Sequence, residues 1–175
     1  MTPNIMLDLE TLGVGNDAAI LSIGAVKFTD VEITDRFHVV VDPGSSQDAG
    51  LKIEAETIMW WLSEERAEAR ASLFEHQMVD LPSALVGFTT WVGGDGPIWG
   101  NGSTFDNVIL RSAYRQLQLD YPGPFHQDYC YRTVKSLAPH IKLERYGLHH
   151  NAVDDAESQA KHLQEILMHL GRKPS

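Results

Sequence analysis

The chain has 175 residues, 43% hydrophobic and 22% charged, which suits one folded domain, 1–175, with a sizeable core. No apolar run reaches bilayer length and the first residues lack a basic region followed by an apolar stretch, so neither a membrane span nor a leader is expected. The single cysteine, Cys130, excludes an intrachain disulfide and points to a reducing, cytoplasmic setting, while a net charge of −10 excludes a protein that coats long nucleic-acid duplexes.

In chain order, Ile5 to Leu9 reads as a short buried strand, and 19–28 (AILSIGAVKF) and 33–41 (ITDRFHVVV) as two more, with 29–32 as a hairpin connection. The segment 43–46 (PGSS) marks a loop. Residues 54–70 are helical by composition, with Ile58, Trp61 and Leu62 at helix spacing. Neighbours on a helix face different ways, so of Trp60 and Trp61 one belongs to the core. A helix opens at 81–83 (LPS) and stops at Gly93-Gly94. Then come a brief strand at 97–100, a helix over 104–119, a turn at 121–124 and a strand at 128–131 that buries Cys130. A short helix over 133–139 precedes the last helix, 154–170, which places Ala156, Ala160, Leu163, Leu167 and Leu170 on one face. Strands first, then strands alternating with helices, predict a mixed sheet covered by helices on both faces. Charge is unevenly spread: between 107 and 145 the bases Arg111, Arg115, Arg132, Lys135, Lys142 and Arg145 outnumber the acids Asp120, Asp128 and Glu144.

Three acidic segments stand out against this frame. Asp8 and Glu10 are two apart on a strand, so both side chains leave the same face, and burying two bare carboxylates is costly without a cation or hydrogen bonds. Asp106 lies at the start of a helix that follows a strand. That position favours an acid through the helix dipole alone, but it is also where ligands gather in sheets with parallel strands. Asp154 and Asp155 open the last helix, where two acids can simply be capping residues. The loop before them carries His149 and His150, and spacing alone pairs either His149 with Asp154 or His150 with Asp155.

Taken together and in order, Asp8-Leu9-Glu10-Thr11, the segment 101–110 (NGSTFDNVIL) and 150–156 (HNAVDDA) resemble the three motifs of the DEDDh exonucleases, the DnaQ-like group. The likeness runs from residue 5 to about residue 170 and implies an α/β, ribonuclease-H-like mixed five-stranded sheet, three strands antiparallel and then parallel ones. The segment 59–62 (MWWL) and the charged helix after it are similar to the small branch that holds RNase AS, the exonuclease-VIII-like proteins and phage exonuclease A, whose members are often homodimers.

The resemblance implies that Asp8, Glu10, Asp106 and Asp155 hold two divalent cations, Mg²⁺ or Mn²⁺. It selects His150 as the general base, a role its ordinary pKa suits near neutral pH. Thr11, Leu12 and Asn101 would lie against the terminal nucleotide. The expected activity is removal of nucleoside 5′-monophosphates from single-stranded 3′ ends of RNA or DNA. Rivals are a catalytically inactive nucleic-acid-binding relative and a ribonuclease-H-type endonuclease with the same fold.

Overall fold

The apolar run at the N-terminus becomes the middle of a five-stranded sheet in the computed structural model, which describes residues 3–94 and 96–171. The strands are β1 (Asn4–Thr11), β2 (Ile20–Phe28), β3 (Ile33–Val40), β4 (Ile98–Gly100) and β5 (Asp128–Cys130), in the order β3-β2-β1-β4-β5. β1, β2 and β3 pair antiparallel, and β1, β4 and β5 are mutually parallel, so three strands end at the same rim. This is the mixed sheet expected. β2 is buried along nearly its whole length because both faces of the sheet are covered.

The alternation of β1 decides which residues meet. Ile5, Leu7 and Leu9 enter the larger core with Leu81, Leu85 and Phe88 of α4 (Leu81–Val92) and with Ile109 and Leu110 of α5 (Asp106–Gln116). Met6 enters a second core on the other face with Val26, Trp99 and Tyr131, and with Ala156, Ala160 and Leu163 of α7 (Ala152–His169). Asp8 and Glu10 continue the Met6 side, so period-two geometry aims both carboxylates at α7. A bulge between Glu10 and Thr11 ends the regular pairing at that point and re-aims the strand's exit.

Two glycines let helices come close. Gly24 pairs with Asp8 across β1 and β2, and a Cβ there would lie 2.1 Å from the carbonyl carbon of Ala152. Only a hydrogen at this position admits the first turn of α7. At Gly100 a Cβ would lie 2.3 Å from Oδ1 of Asn107, so the end of β4 and the start of α5 are likewise in contact.

Several local expectations are corrected. The predicted loop at Pro43 is a short helix, α1 (Pro43–Asp48), because Asp42 caps Gly44 N and proline occupies its first turn. The long helix expected over 54–70 is broken into α2 (Ala55–Trp61), a 3₁₀ turn (Glu64–Arg66) and α3 (Ala67–Ser72). The break falls at Ser63, which is extended, and Arg70 folds back to bond the carbonyls of Trp61 and Ser63. The strand at Cys130 is a three-residue edge element that leaves Tyr129 exposed and Cys130 half-buried, and α6 (Tyr131–Lys135) begins two residues earlier than the sequence indicated. In α7, Ile166 replaces Leu170 on the buried face, and Leu170 is an exposed cap. Of the tryptophan pair, Trp61 is the core residue. Among the described residues no helix is long and apolar enough to cross a membrane.

Candidate active site

The carboxyl rim of β1, the start of α5 and the start of α7 enclose a cleft of about 470 Å³. Asp8, Glu10, Thr11, Asn101, His149, His150 and Asp155 all line it. Oxygens of Asp8, Glu10 and Asp155 lie within 4.8 Å of one another, and so do ring nitrogens of His149 and His150 with an oxygen of Asp155.

Each acid is held differently. Asp8 Oδ1 accepts from the side-chain amide of Gln159 at 2.7 Å. Asp106, only 1% exposed, takes the amide of Leu9 on one oxygen and the amide of Asn101 on the other, at 3.1 and 2.7 Å, which ties the rims of β1 and β4 together. It is in neither compact set of ligand atoms, yet it lies close enough to press up the pKa of both Asp8 and Glu10. Asp155 Oδ2 accepts the amide of His150 at 2.8 Å, and Oδ1 pairs with Arg145 at 2.7 Å. Asp154 points elsewhere: it accepts the amide of Leu148 at 2.8 Å and fills the space beside Gly147, whose backbone is left-handed. The adjacent acids therefore divide the labour, one fastening the loop and the other facing the cleft.

Burial first, and then mutual repulsion, raises Asp8 well above the usual carboxylate range, with Asp106, Glu10 and Asp155 as the repelling charges. Glu10 is raised for the same reasons, and Arg66 is the one influence drawing it down. Asp106 is pushed up to about 6 by burial, against the pull of the amides of Asn101, Leu9 and its own backbone and of Arg132. Asp155 is raised by burial and held down by the His150 amide, His149 and Arg145. The cluster is therefore short of positive charge. All its donors are hard oxygens, which suits Mg²⁺ or Mn²⁺ better than a thiophilic ion.

His150 sits at the αL backbone position, with φ 65°, and its ring meets Trp60 edge to face at 5.0 Å and stacks on His149 at 3.7 Å. Burial and the nearby His149, Arg66 and Arg145 lower its pKa to about 4, which corrects the near-neutral value expected from the sequence, and its Nε2 is buried without a hydrogen-bond partner among the described residues. His149 is also lowered, chiefly by burial.

Two of the three nucleotide-contact candidates, Thr11 and Asn101, border the cleft, whereas Leu12 is 7% exposed and packs in the larger core. The cleft also contains residues the sequence did not assign to it: Gln159, Arg145, Trp60, Lys135 and Glu54. Gln159 was legible in principle, being one helical turn beyond Asp155 on the same face. Trp60 proves to be a wall of the cleft, with Arg66 over its ring at 4.4 Å.

The model of the 3'-5' exoribonuclease Rv2179c-like domain matches residues 3–167. No curated protein matches the chain. Among solved structures the chain is similar to the nuclease domain of 3'hExo, a DEDDh family member bound to rAMP, with a TM-score of 0.68 and 16% identity over 99% of this chain and 95% of that one. It is also similar to exonuclease X in complex with 5′-overhanging duplex DNA (TM-score 0.61, 18% identity, 98% of this chain and 95% of that one). A 3′-exonuclease that recognises the 3′ end of the histone mRNA stem-loop gives a TM-score of 0.63 at 13% identity, over 99% and 84% of the two chains. At these identities the likeness to solved structures is one of fold.

Proposed function

The chain belongs to the 3'-5' exoribonuclease Rv2179c-like family, and on that premise we propose that this 3'-5' exonuclease releases nucleoside 5′-monophosphates from single-stranded 3′ ends, using the cleft at the rim of β1. The observation that carries the reading is the under-neutralised trio of half-buried Asp8 with buried Glu10 and Asp155, beside the unpartnered Nε2 of His150. DEDDh exonucleases use divalent metal ions, and the donor set here fits that chemistry. Asp8, Glu10 and Asp155 would hold such ions directly, with Asp106 completing the set. Bound there, the ions would supply positive charge at the scissile phosphate and lower the pKa of the attacking water.

The remaining work falls to the chain's own groups. His150 stays neutral through the physiological range, so its Nε2 is free to accept the proton that the water gives up. The edge of Trp60 and the stacked His149 keep that ring in the cleft wall. Gln159 fixes the orientation of Asp8, and the amides of Leu9 and Asn101 fix Asp106. Thr11 and Asn101, at the ends of the parallel neighbours β1 and β4, would touch the terminal nucleotide, while Leu12 would back the site from the core. Membership of the RNase AS-like branch rests on the segment 59–62 (MWWL), of which Trp60 reaches the cleft.

The test is incubation with 5′-labelled RNA and DNA oligonucleotides, with free and blocked 3′ ends, in Mg²⁺ or Mn²⁺. A ladder that shortens from the free 3′ end, and is absent with Asp8→Ala, is expected. Internal cuts, or equal cleavage of blocked ends, would overturn the proposal.

A further inference from the structure

The cleft does not end at the acidic cluster. A second depression of about 620 Å³ opens beside it and shares Asn101, Lys135 and Leu143 with its wall. A third, of about 450 Å³, adjoins the second at Arg132 and Ser136. The three adjoin one another along α6 as one groove, the third also meeting the acidic cleft at Phe105.

The chemistry of the groove changes sharply along its length. The first part carries the acids, whereas no aspartate or glutamate lines either of the other two. Arg132, Lys135 and Lys142 line that acid-free part, and none of the three forms an ion pair among the described residues. Their hydrogen-bond and ring partners are neutral, and Arg132 also draws down the nearby Asp106 without forming an ion pair with it. Arg132 Nε faces Oδ1 of Asn101 at 3.5 Å, Lys142 Nζ donates to the carbonyl of Pro139 at 3.1 Å, and Lys135 Nζ lies 5.8 Å from the centre of the Tyr131 ring. By contrast Arg36, Lys52, Arg111, Arg145 and Lys161 are all paired with acids. In a chain of net charge −10, three unpaired cations lining one acid-free groove form a local positive field directed at an anionic ligand.

We propose that Arg132, Lys135 and Lys142 grip successive phosphates of a single strand, RNA or DNA, upstream of the 3′-terminal nucleotide that occupies the acidic cleft. This rests on the exonuclease reading and adds the path the substrate takes. The acid-free part of the groove has Phe105 as its one aromatic lining residue, so it holds the backbone and is blind to sequence. A chain that repels polyanions over most of its surface is thereby able to hold a short segment of one. Such a grip contributes to binding a long substrate and nothing to a substrate with a single phosphodiester bond.

The experiment compares wild type with Arg132→Gln/Lys142→Ala, in which the glutamine amide keeps a donor for Asn101 and Lys135 stays in place because it also borders the acidic cleft. Steady-state kinetics are measured on a dinucleotide and on longer RNA and DNA oligonucleotides over a range of salt, with circular dichroism to confirm folding. For wild type, three phosphate contacts predict that log KM for the long substrate rises with log salt at a slope of about 2, and the double variant retains a slope of about 0.7. At low salt its KM for the long substrate should rise at least about fivefold with kcat unchanged, equally for RNA and DNA, while dinucleotide hydrolysis stays at the wild-type rate. An unchanged KM and salt slope in the double variant would overturn the groove while leaving the exonuclease intact. So would an equal loss on both substrate lengths, which would place these cations at the reacting end, and so would a loss confined to one sugar type. A wild-type protein inert on every substrate would instead sink the exonuclease reading itself.

Discussion

Replacing Gly24 by alanine should disable the site without touching a single residue that lines it. The added Cβ would lie 2.1 Å from the carbonyl carbon of Ala152 and 2.2 Å from the amide nitrogen of Val153, both backbone atoms at the start of α7. Ordinary contact begins at 3.4 Å, so α7 must retreat by about 1.3 Å at its first turn. No rotamer relieves the clash, because neither partner is a side chain. Asp155 is three residues further along and Gln159 seven, and a retreat of that size pulls both away from Asp8, which pairs with Gly24 itself. Misplacement by about 1 Å costs roughly a hundredfold in rate. Overpacking of this kind costs about 1–3 kcal/mol, or roughly 2–12 °C in Tm for a chain of this size. The assay is kcat on a labelled oligonucleotide together with a thermal melt, using Gly94→Ala as control because a Cβ at Gly94 meets nothing within 4 Å. A Gly24→Ala protein with wild-type kcat would refute the claim that this contact sets the position of Asp155.

Other outcomes follow from the same geometry. His150→Ala should lower kcat at least about a hundredfold, the scale of losing a general base, while stabilisation by Mn²⁺ in a thermal shift is retained; an unaltered kcat would remove His150 from the mechanism. Gln159→Leu takes away the only hydrogen bond that Asp8's carboxylate accepts among the described residues, which should lower kcat about tenfold and displace the acidic limb of the pH–rate profile upward; an unmoved profile would show that Gln159 only fills space. Asp106 is raised from 3.8 to about 6, so between those values the unfolded chain has released a proton that the fold retains, and the metal-free fold loses up to about 3 kcal/mol from this group as pH rises. His150 acts with the opposite sign, since its pKa falls to about 4 and its contribution is lost as pH drops below 6.5. Divalent cations compete with protons for the acids, so the gain in Tm on adding Mg²⁺ should be larger at pH 8 than at pH 5, and equal gains would contradict ligation by these carboxylates.

How much of this was legible in the sequence depends on what kind of contact decides each feature. Period-two alternation in Asn4–Thr11 was enough to put Asp8 and Glu10 on one face, and the order of apolar runs was enough for a mixed sheet. Spacing left Asp154 and Asp155 equivalent and only the family resemblance chose Asp155, because both open the same helix and the loop from 144 to 150 distinguishes them. That loop is held by bonds to the helix that follows it, from Leu148 N to Asp154 and from Tyr146 N to Ser158 Oγ, and spacing does not encode them. The break at Ser63 was hidden for a similar reason, since helix-forming composition continues through it and the carbonyls at the break are satisfied by Arg70 from the following helix. Gly24 reads from sequence as a weak spot inside a strand. Only the packed structure shows that it is the place where α7 comes down.

These contacts explain how a fold tolerates a cluster of acids that repel one another. The repulsion among Asp8, Glu10, Asp106 and Asp155 works against the approach of α5 and α7 to the rim of β1. What opposes it is geometric and lies outside the acids' own charge. Gly24 and Gly100 admit the two helices, the amides of Leu9 and Asn101 bind Asp106, the amide of His150 binds Asp155, and Tyr131 reaches across to His162 at 2.6 Å beneath the site. Apolar packing of Ala156, Ala160 and Leu163 against Met6 and Val26 then presses α7 down along its length. Neutralising one acid should therefore stabilise the metal-free fold even as it removes activity, as expected where a functional site stores unfavourable charge. Asp8→Asn is the cleanest case, because an asparagine oxygen can still accept the Gln159 amide. A higher Tm without metal, a smaller gain on adding Mg²⁺ and loss of exonuclease activity are expected together. A lower Tm would mean that the acids are already balanced within the protein, and that the cluster needs no cation to hold it together.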